Sequence, residues 1–123
     1  MVETTLVVPD VKFGLEILDA LDKYGLKPNV AVWLKENGEW RFLVSTPLWD
    51  QDPSGTDLAL VYAKRNAGPP ISDYPIDLEG NKDQIIRALR KAWAKKNLEP
   101  GTQIGGRYYG PFWYPDGVLL RVR

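Results

Sequence analysis

The sequence predicts an α+β protein with a mainly antiparallel sheet of four to five strands. Three observations support this prediction: a β-hairpin pattern over 30–49, amphipathic helical patterns over 10–24 and 82–97, and a second hairpin pattern over 102–123. Two long amphipathic helices and one short helix should pack on the sheet, in the order α-β-β-α-β-α-β-β. A chain of 123 residues fits a single domain over 1–123.

Residues before the central hairpin predict a helix that lies on the sheet. Residues 1–9 are an apolar lead-in, either a tail or an edge strand around Leu6 to Val8. Asp10 is the expected N-cap of a helix that runs to about Tyr24 and stops at Gly25. At 100° per residue the charged side chains of this helix fall in one arc, and apolar side chains fill the rest.

The central hairpin has the most specific signal in the chain. Asn37-Gly38 stands between two runs rich in Val, Leu, Trp and Phe, and both residues tolerate the positive φ of a type I′ turn. A two-residue loop pairs Trp33 with Phe42. It places Ala31, Trp33, Trp40, Phe42 and Val44 on one face, and Val30, Val32, Leu34 and Leu43 on the other. Because both faces are apolar, we expect both to be covered, by helices or by a partner chain.

The segment after the hairpin combines a loop, an ambiguous apolar run and a short extended stretch. Residues 50–55 are dense in turn formers and predict a loop. Residues 57–66 suit a buried strand as well as a helix, and we favour a short helix capped by Ser54 or Thr56. Residues 71–78 contain a proline and indicate an edge strand or an extended connection.

The second long helix is expected over about 82–97, with Asn81 as N-cap and Glu99-Pro100-Gly101 as its stop. Its buried stripe is Ile85, Ile86, Ala88, Leu89, Ala92 and Trp93. Its opposite side carries Arg87, Arg90, Lys91 and Lys95. A strand through about 104–109, a region rich in Gly and Pro, and a last strand over 118–123 complete the second hairpin.

The composition excludes several classes of function. The chain has no cysteine and no histidine, which excludes disulfides, zinc–thiolate sites, cysteine nucleophiles and histidine-based catalysis. Its 16 basic and 16 acidic residues cancel, although the first half is acidic and the second half basic. No apolar run approaches the ~20 residues of a membrane span, and the first residues lack the basic character of a signal peptide. We therefore expect a cytoplasmic protein without membrane contact.

Short motifs between residues 30 and 95 follow one another in a recognisable order. They are Trp33-Leu34, then G-E-W-R-F-L-V over 38–44, then Thr46-Pro47-Leu48 with Asp50, and later Ile76-Asp77 and 86–90. This order resembles a family of small bacterial proteins of unknown function, in which a W-L strand leads through G-E-W-R-L-V-I to a T/S-P-L-x-D segment. The stretch before Ile76 is shorter here, and the last hairpin matches poorly. Because the motifs are structural, the resemblance implies an element order and no activity.

Aromatic residues near loops are the first candidate functional site. Trp49, Tyr109, Trp113 and Tyr114 lie at or near loops, and Trp and Tyr commonly anchor protein interfaces. Packing under the loops is the alternative for these residues. Together with the two apolar hairpin faces and the missing histidine and cysteine, they favour a non-enzymatic protein-interaction module without a cofactor. Its partner is a second copy of the chain or another protein.

Two other functions remain open. A set of cations next to an aromatic hairpin suits single-stranded nucleic acid, although a solvated helix face is also often basic. The set is Arg87, Arg90, Lys91, Lys95 and Arg107. Asp50 and Asp52 are candidates for a Mg²⁺ site of a phosphodiesterase, although aspartate is equally common in turns. Whether the basic helix and the aromatic hairpin share one surface separates nucleic-acid binding from protein interaction.

Overall fold

A computed structural model of the chain describes residues 10–105, 107–109, 112–114 and 116–123, and for 107–109 and 112–114 it describes the backbone only. The lead-in over 1–9, with its predicted tail or edge strand, lies outside these residues. The helices are α1 (Val11–Lys23), α2 (Pro47–Gln51), α3 (Pro53–Ala67) and α4 (Gln84–Trp93), with a 3₁₀ turn at Ile71–Asp73. The strands are β1 (Val30–Glu36), β2 (Glu39–Ser45), β3 (Ile76–Glu79), β4 (Thr102–Ile104), β5 (Arg107–Tyr109), β6 (Phe112–Tyr114) and β7 (Gly117–Val122).

The fold is α+β with a mainly antiparallel sheet, as the sequence predicts. Five strands form the main sheet in the order β3-β2-β1-β7-β4, and β5 pairs with β6 in a separate hairpin. Neighbouring strands of the main sheet are antiparallel except β2 and β3, which are parallel. Helices α2 and α3 connect the two parallel strands, as such a connection requires.

The central hairpin has the predicted two-residue loop and the predicted register. Trp33 pairs with Phe42, and Glu36 pairs with Glu39. Asn37 has a φ of 52° and Gly38 a φ of 79°, which is the left-handed backbone that a type I′ turn needs. The prediction for this hairpin is confirmed pair by pair.

Helices of the same chain cover both faces of the hairpin. Core 1, on the side of α1 and α3, consists of Ile17, Leu18, Leu21, Leu26, Ala31, Trp33, Phe42, Val44, Leu60, Ala63, Val118 and Leu120. Core 2, on the side of α4, consists of Val30, Val32, Leu34, Leu43, Ile86, Leu89, Ile104, Leu119 and Val122. Trp40 is half-buried against core 1. Since both apolar faces are filled internally, the hairpin itself leaves no face for a partner chain.

Helix α1 matches the prediction at both ends. Asp10 accepts a hydrogen bond from the N–H of Phe13 at 3.1 Å, and Gly25 follows the last turn with a φ of 79°. Gly14 faces the sheet at close range. A Cβ atom at this position would collide with the side chain of Leu120 and lie 3.0 Å from Nε1 of Trp33. Glycine therefore sets how closely α1 approaches β1 and β7.

Residues 50–55 are not a loop, and the helix after them is longer than predicted. α2 begins after Thr46, whose Oγ1 accepts from the N–H of Leu48 at 3.3 Å. α3 begins after Asp52, whose Oδ1 accepts from the N–H of Gly55 at 3.0 Å, so Ser54 and Thr56 do not cap it. Both caps are followed by proline at the first helical position, where its missing N–H costs nothing. The predicted short helix is the longest in the described chain.

Helix α4 starts later than predicted. Its N-cap is Asp83, whose Oδ2 accepts from the N–H groups of Ile85 and Ile86 at 3.0 and 3.2 Å. Asn81 was the predicted cap, but its side chain bonds to residues at the end of the sheet instead. The predicted strand over 104–109 is likewise divided, since β4 joins β7 in the main sheet while β5 pairs with β6. Within the described residues no helix is both long and apolar enough to span a membrane.

Candidate functional site

Of the four predicted interaction residues, Trp49 is the one whose side chain the structure describes. Trp49 lies on α2, is half-buried and packs close to Gly80, where an added Cβ would be 3.1 Å from the ring. Tyr109 lies on β5, and Trp113 and Tyr114 lie on β6, so their side chains fall outside the described part of the chain. Trp49 thus packs beside the loop that contains Gly80, and a role of the four residues in protein contacts stays a prediction.

Four of the predicted basic residues lie on α4 or just after it. Arg87, Lys91 and Lys95 are exposed, and none of them has an acidic partner among the described residues. Arg90 is half-buried and donates from Nε to the carbonyl oxygen of Arg123 at 2.8 Å. Arg107 lies on β5, and its side chain is not described. Cα atoms of β5 and β6 come within 8 Å of Cα atoms of α4, so the small hairpin lies beside this helix.

The two acidic candidates for a metal site both bond to backbone N–H groups. Oδ2 of Asp50 accepts from the N–H of Asn81 at 2.9 Å, and Asp52 caps α3. The described residues contain no group of three or more His, Cys, Asp or Glu side chains able to hold a metal ion. These hydrogen bonds give Asp50 and Asp52 structural roles. The sequence had offered such roles as the alternative, because aspartate is common in turns.

Polar residues gather where the parallel strands β2 and β3 end together. Oδ1 of Asn81 accepts from Nδ2 of Asn29 at 2.8 Å and from Oγ of Ser45 at 3.0 Å. Oγ1 of Thr46 donates to the carbonyl oxygen of Leu26 at 2.7 Å. Ends of parallel strands are common ligand sites in α/β proteins. Here most of the polar atoms bond to one another, so the cluster holds the loops together.

One carboxyl group and one amide at this end of the sheet are less well satisfied. Burial, with the nearby charges of Asp83 and Asp77, raises the pKa of Glu79 above its ordinary value. Oδ1 of Asn29 is buried and has no hydrogen-bond partner among the described residues. Asn29 as a whole is half-buried and Glu79 is partly exposed, so neither residue forms an enclosed site.

An exposed apolar stripe on α3 is the surface that the sequence analysis missed. Leu58, Val61 and Tyr62 are 54%, 47% and 46% exposed. Their spacing of i, i+3 and i+4 places them on one face of the helix, opposite Leu60 and Ala63, which are buried in core 1. In the sequence, residues 58–63 look apolar on every side. Placing them at 100° per residue would have separated the exposed face from the buried face.

Comparison with known proteins gives no match. No protein-family model, no curated protein and no solved structure matches the chain. The resemblance of residues 30–95 to a family of small bacterial proteins stays a prediction.

Proposed function

We propose that this protein acts through protein contacts and that the outer face of α3 binds a second copy of the chain. The observation that supports this proposal is the stripe of Leu58, Val61 and Tyr62, each about half exposed on one helix face. Apolar side chains grouped in this way favour a contact that removes them from water. A cytoplasmic protein without enzymatic activity or a cofactor, as the sequence predicts, is part of this proposal.

The charges beside the stripe favour a second copy over a different partner. Asp57 and Arg65 are exposed on the same face of α3, four residues before and four residues after Val61. In an antiparallel pair of α3 helices with Val61 at the two-fold axis, Asp57 of one copy faces Arg65 of the other. The same surface is then complementary to itself in both charge and apolar character.

The contact is expected to be weak. A stable specific interface buries about 800 Å² on each partner, and three half-exposed side chains supply only part of that area. Exposed ion pairs contribute about 0–1 kcal/mol each and determine orientation more than affinity. We therefore expect a reversible dimer whose population rises with protein concentration.

Light scattering after size-exclusion chromatography, over a range of protein concentrations, tests this proposal. Val61→Asp places two like charges at the axis and should shift the chain to monomer. Asp57→Arg and Arg65→Asp should each weaken the dimer, because each puts like charges opposite one another. The double variant with both changes should restore the dimer, since the pairs are re-formed with exchanged signs.

Leu15→Asp is the matched control, because Leu15 is 39% exposed on α1, outside the stripe. This variant should dimerise like the wild type. A monomer at every concentration up to the solubility limit would overturn the proposal, as would a dimer that Val61→Asp leaves intact.

Nucleic-acid binding is a second candidate, favoured by one observation. The hairpin of β5 and β6 lies beside α4, whose outward cations Arg87 and Lys91 have no acidic partner among the described residues. Cations next to aromatic-rich strands suit the backbone and bases of a single strand. The zero net charge of the chain weighs against it, because nucleic-acid-binding domains are usually basic.

Fluorescence anisotropy of a labelled single-stranded oligonucleotide tests this second candidate. Binding should appear at low salt, weaken as salt rises, and be lost in the variant Arg87→Glu/Lys91→Glu. The control Lys12→Glu/Lys23→Glu carries the same change in net charge on exposed positions of α1. Equal anisotropy for both variants, or none for the wild type at low salt, would exclude specific use of α4.

A further inference from the structure

Part of strand β7 has a neighbour on one side only. β1 pairs with β7 along its length, from Gly117 to Val122. β4 pairs with β7 only from Gly117 to Leu119, and the chain before β4 makes one more bond, from the N–H of Gly101 to the carbonyl oxygen of Leu119 at 2.8 Å. Among the described strands, none pairs with β7 on that side beyond Leu119. In the part of the chain that the structure describes, the sheet therefore has an open edge at 120–122.

At this edge the backbone of Val122 is turned outward. The N–H of Arg123 donates to the carbonyl oxygen of Asn29 at 2.7 Å, so the backbone of Arg123 faces β1. Backbone groups alternate in direction along a strand. The N–H and C=O of Val122 consequently point away from β1, to the side where no described strand pairs with β7 beyond Leu119.

A groove of about 440 Å³ lies along the same edge. Its walls are α1 and the segment 96–100, and β7 forms its floor. Its apolar lining consists of Leu15, Leu18, Leu98, Pro100, Leu120 and Val122. Leu15 is 39% exposed there. A groove of this volume lies within the range of ligand pockets, ~300–1,000 Å³, and is bordered by both apolar side chains and free strand backbone.

The charges of the groove leave two cations for a ligand. Asp22 forms a two-pronged pair with Arg121, at 2.9 and 2.8 Å, and Asp19 lies 3.8 Å from Lys23. Both carboxylates of the groove are therefore paired within the chain. The side chains of Lys96 and Arg123 are exposed, and neither forms a salt bridge with an acidic side chain among the described residues. Nζ of Lys96 lies 4.9 Å from the ring centroid of Trp93.

We propose that this groove binds an extended peptide, which adds as a strand to the open edge of β7 at 120–122 and places a carboxylate between Lys96 and Arg123. Strand addition takes its affinity from backbone hydrogen bonds and its specificity from pockets for alternate side chains. The apolar lining receives the side chains on one side of the peptide. The carboxylate is an aspartate or glutamate side chain or a free C-terminus. α3 contributes no residue to the groove, so this site is separate from the proposed dimer contact.

Selection from a random heptapeptide library displayed on phage tests the proposal with the full chain. Enriched peptides are synthesised with a fluorescent label, and their affinity is measured by anisotropy. We expect acidic peptides whose affinity falls at least tenfold for the variant Lys96→Glu/Arg123→Glu. N-methylation of the peptide at alternate residues should abolish binding, because it removes the N–H groups of the added strand. In ¹H–¹⁵N spectra the amide of Val122 should shift most.

Two matched controls separate this site from the rest of the surface. Lys12→Glu/Lys82→Glu carries the same charge change at exposed positions outside the groove and should bind like the wild type. Val61→Asp should also bind like the wild type, so failure of the dimer proposal would not affect this one. The proposal is overturned if no peptide is enriched over the charge-reversed variant, if N-methylated peptides bind equally well, or if the shifted amides lie on α3 or α4.

Discussion

Arg121 reaches Asp22 because β7 contains a bulge. The register of β7 against β1 shifts between Ala31 and Val32, which leaves Leu120 as an extra residue. A bulge of this kind sends two successive side chains to the same side of a sheet. Leu120 enters core 1 and Arg121 meets Asp22 on α1, while Val122 returns to core 2. Sequence alternation alone would have placed Arg121 on the side of α4, so this ion pair was not predictable from the pattern.

The pair between Asp22 and Arg121 gives a prediction about pH. The hydrogen bonds that Asp22 accepts from Arg121 lower the pKa of Asp22 below its ordinary value. A carboxyl group with a lowered folded-state pKa stabilises the fold fully above its unfolded pKa, near 4, and loses this contribution as the pH falls through the folded-state value. Asp22→Asn should therefore lower the free energy of unfolding by about 1–2 kcal/mol at pH 7. The gap to the wild type should shrink below about pH 4.

Urea denaturation at pH 7 and at pH 3 measures this gap. Asp19→Asn is the control on the same helix, since the Asp19 side chain is 73% exposed and should change stability by less than about 0.5 kcal/mol. A gap between wild type and Asp22→Asn that is as wide at pH 3 as at pH 7 would show that the charge of Asp22 is not the cause.

At the scale of elements, the starts of α2 and α3 show why the sequence reading failed at 50–55. The residue types of Thr46-Pro47 and Asp52-Pro53 are frequent in turns, and the predicted loop over 50–55 contains the second pair. Each pair is also an N-cap followed by proline, and both caps are made in the structure. The apolar residues after Pro53 stabilise a helix only when one side of that helix can be buried. This burial depends on the sheet beneath α3, which the local sequence does not show.

The cap of α3 gives a prediction that also tests the metal interpretation of Asp52. Asp52→Ala should lower the free energy of unfolding by about 1 kcal/mol, because the N–H of Gly55 loses its acceptor. Asp52→Asn should stay close to the wild type, since asparagine caps helices equally well. Thermal or urea unfolding measures both variants with and without Mg²⁺. A stabilisation by Mg²⁺ that either variant removes would assign a metal-binding role to Asp52 after all.

The packing of α1 on the sheet gives a second prediction at this scale. Gly14→Ala should lower the free energy of unfolding by about 1–3 kcal/mol, although alanine is the better helix former, because its Cβ would displace Leu120 and crowd Trp33. Glu16→Ala, at an exposed position of the same helix, is the control and should change stability by about 0.5 kcal/mol or less. Equal stability for both variants in urea would mean that α1 moves away from the sheet without cost.

The candidate sites were less predictable than the fold, for a physical reason. Alternation and helical spacing indicate which apolar side chains share a face, and with the two-residue turn at Asn37-Gly38 they predicted the hairpin register and its two apolar faces. These patterns do not show which apolar side chains stay exposed to solvent, because that depends on which helices and strands pack around each element. Leu58 and Tyr62 belong to the same run as Leu60, and only the position of α3 over core 1 exposes the first two. In the same way, the groove exists because β4 stops pairing at Leu119.

At the scale of the whole molecule, the sheet lies between α1 and α3 on one side and α4 on the other, and β1 is its middle strand. Val30, Ala31 and Val32 are all 0% exposed, so both sides of β1 are inaccessible to water.

Amides of β1 can exchange with solvent only when the whole fold opens, whereas amides at the sheet edges exchange through local opening. We therefore predict the slowest hydrogen exchange in β1 and much faster exchange in β4, a three-residue edge strand. Exchange followed by NMR measures both. Protection of β4 equal to that of β1 would mean that the edge beside the groove is covered in solution, and lower protection in β1 than in β2 would contradict the strand order.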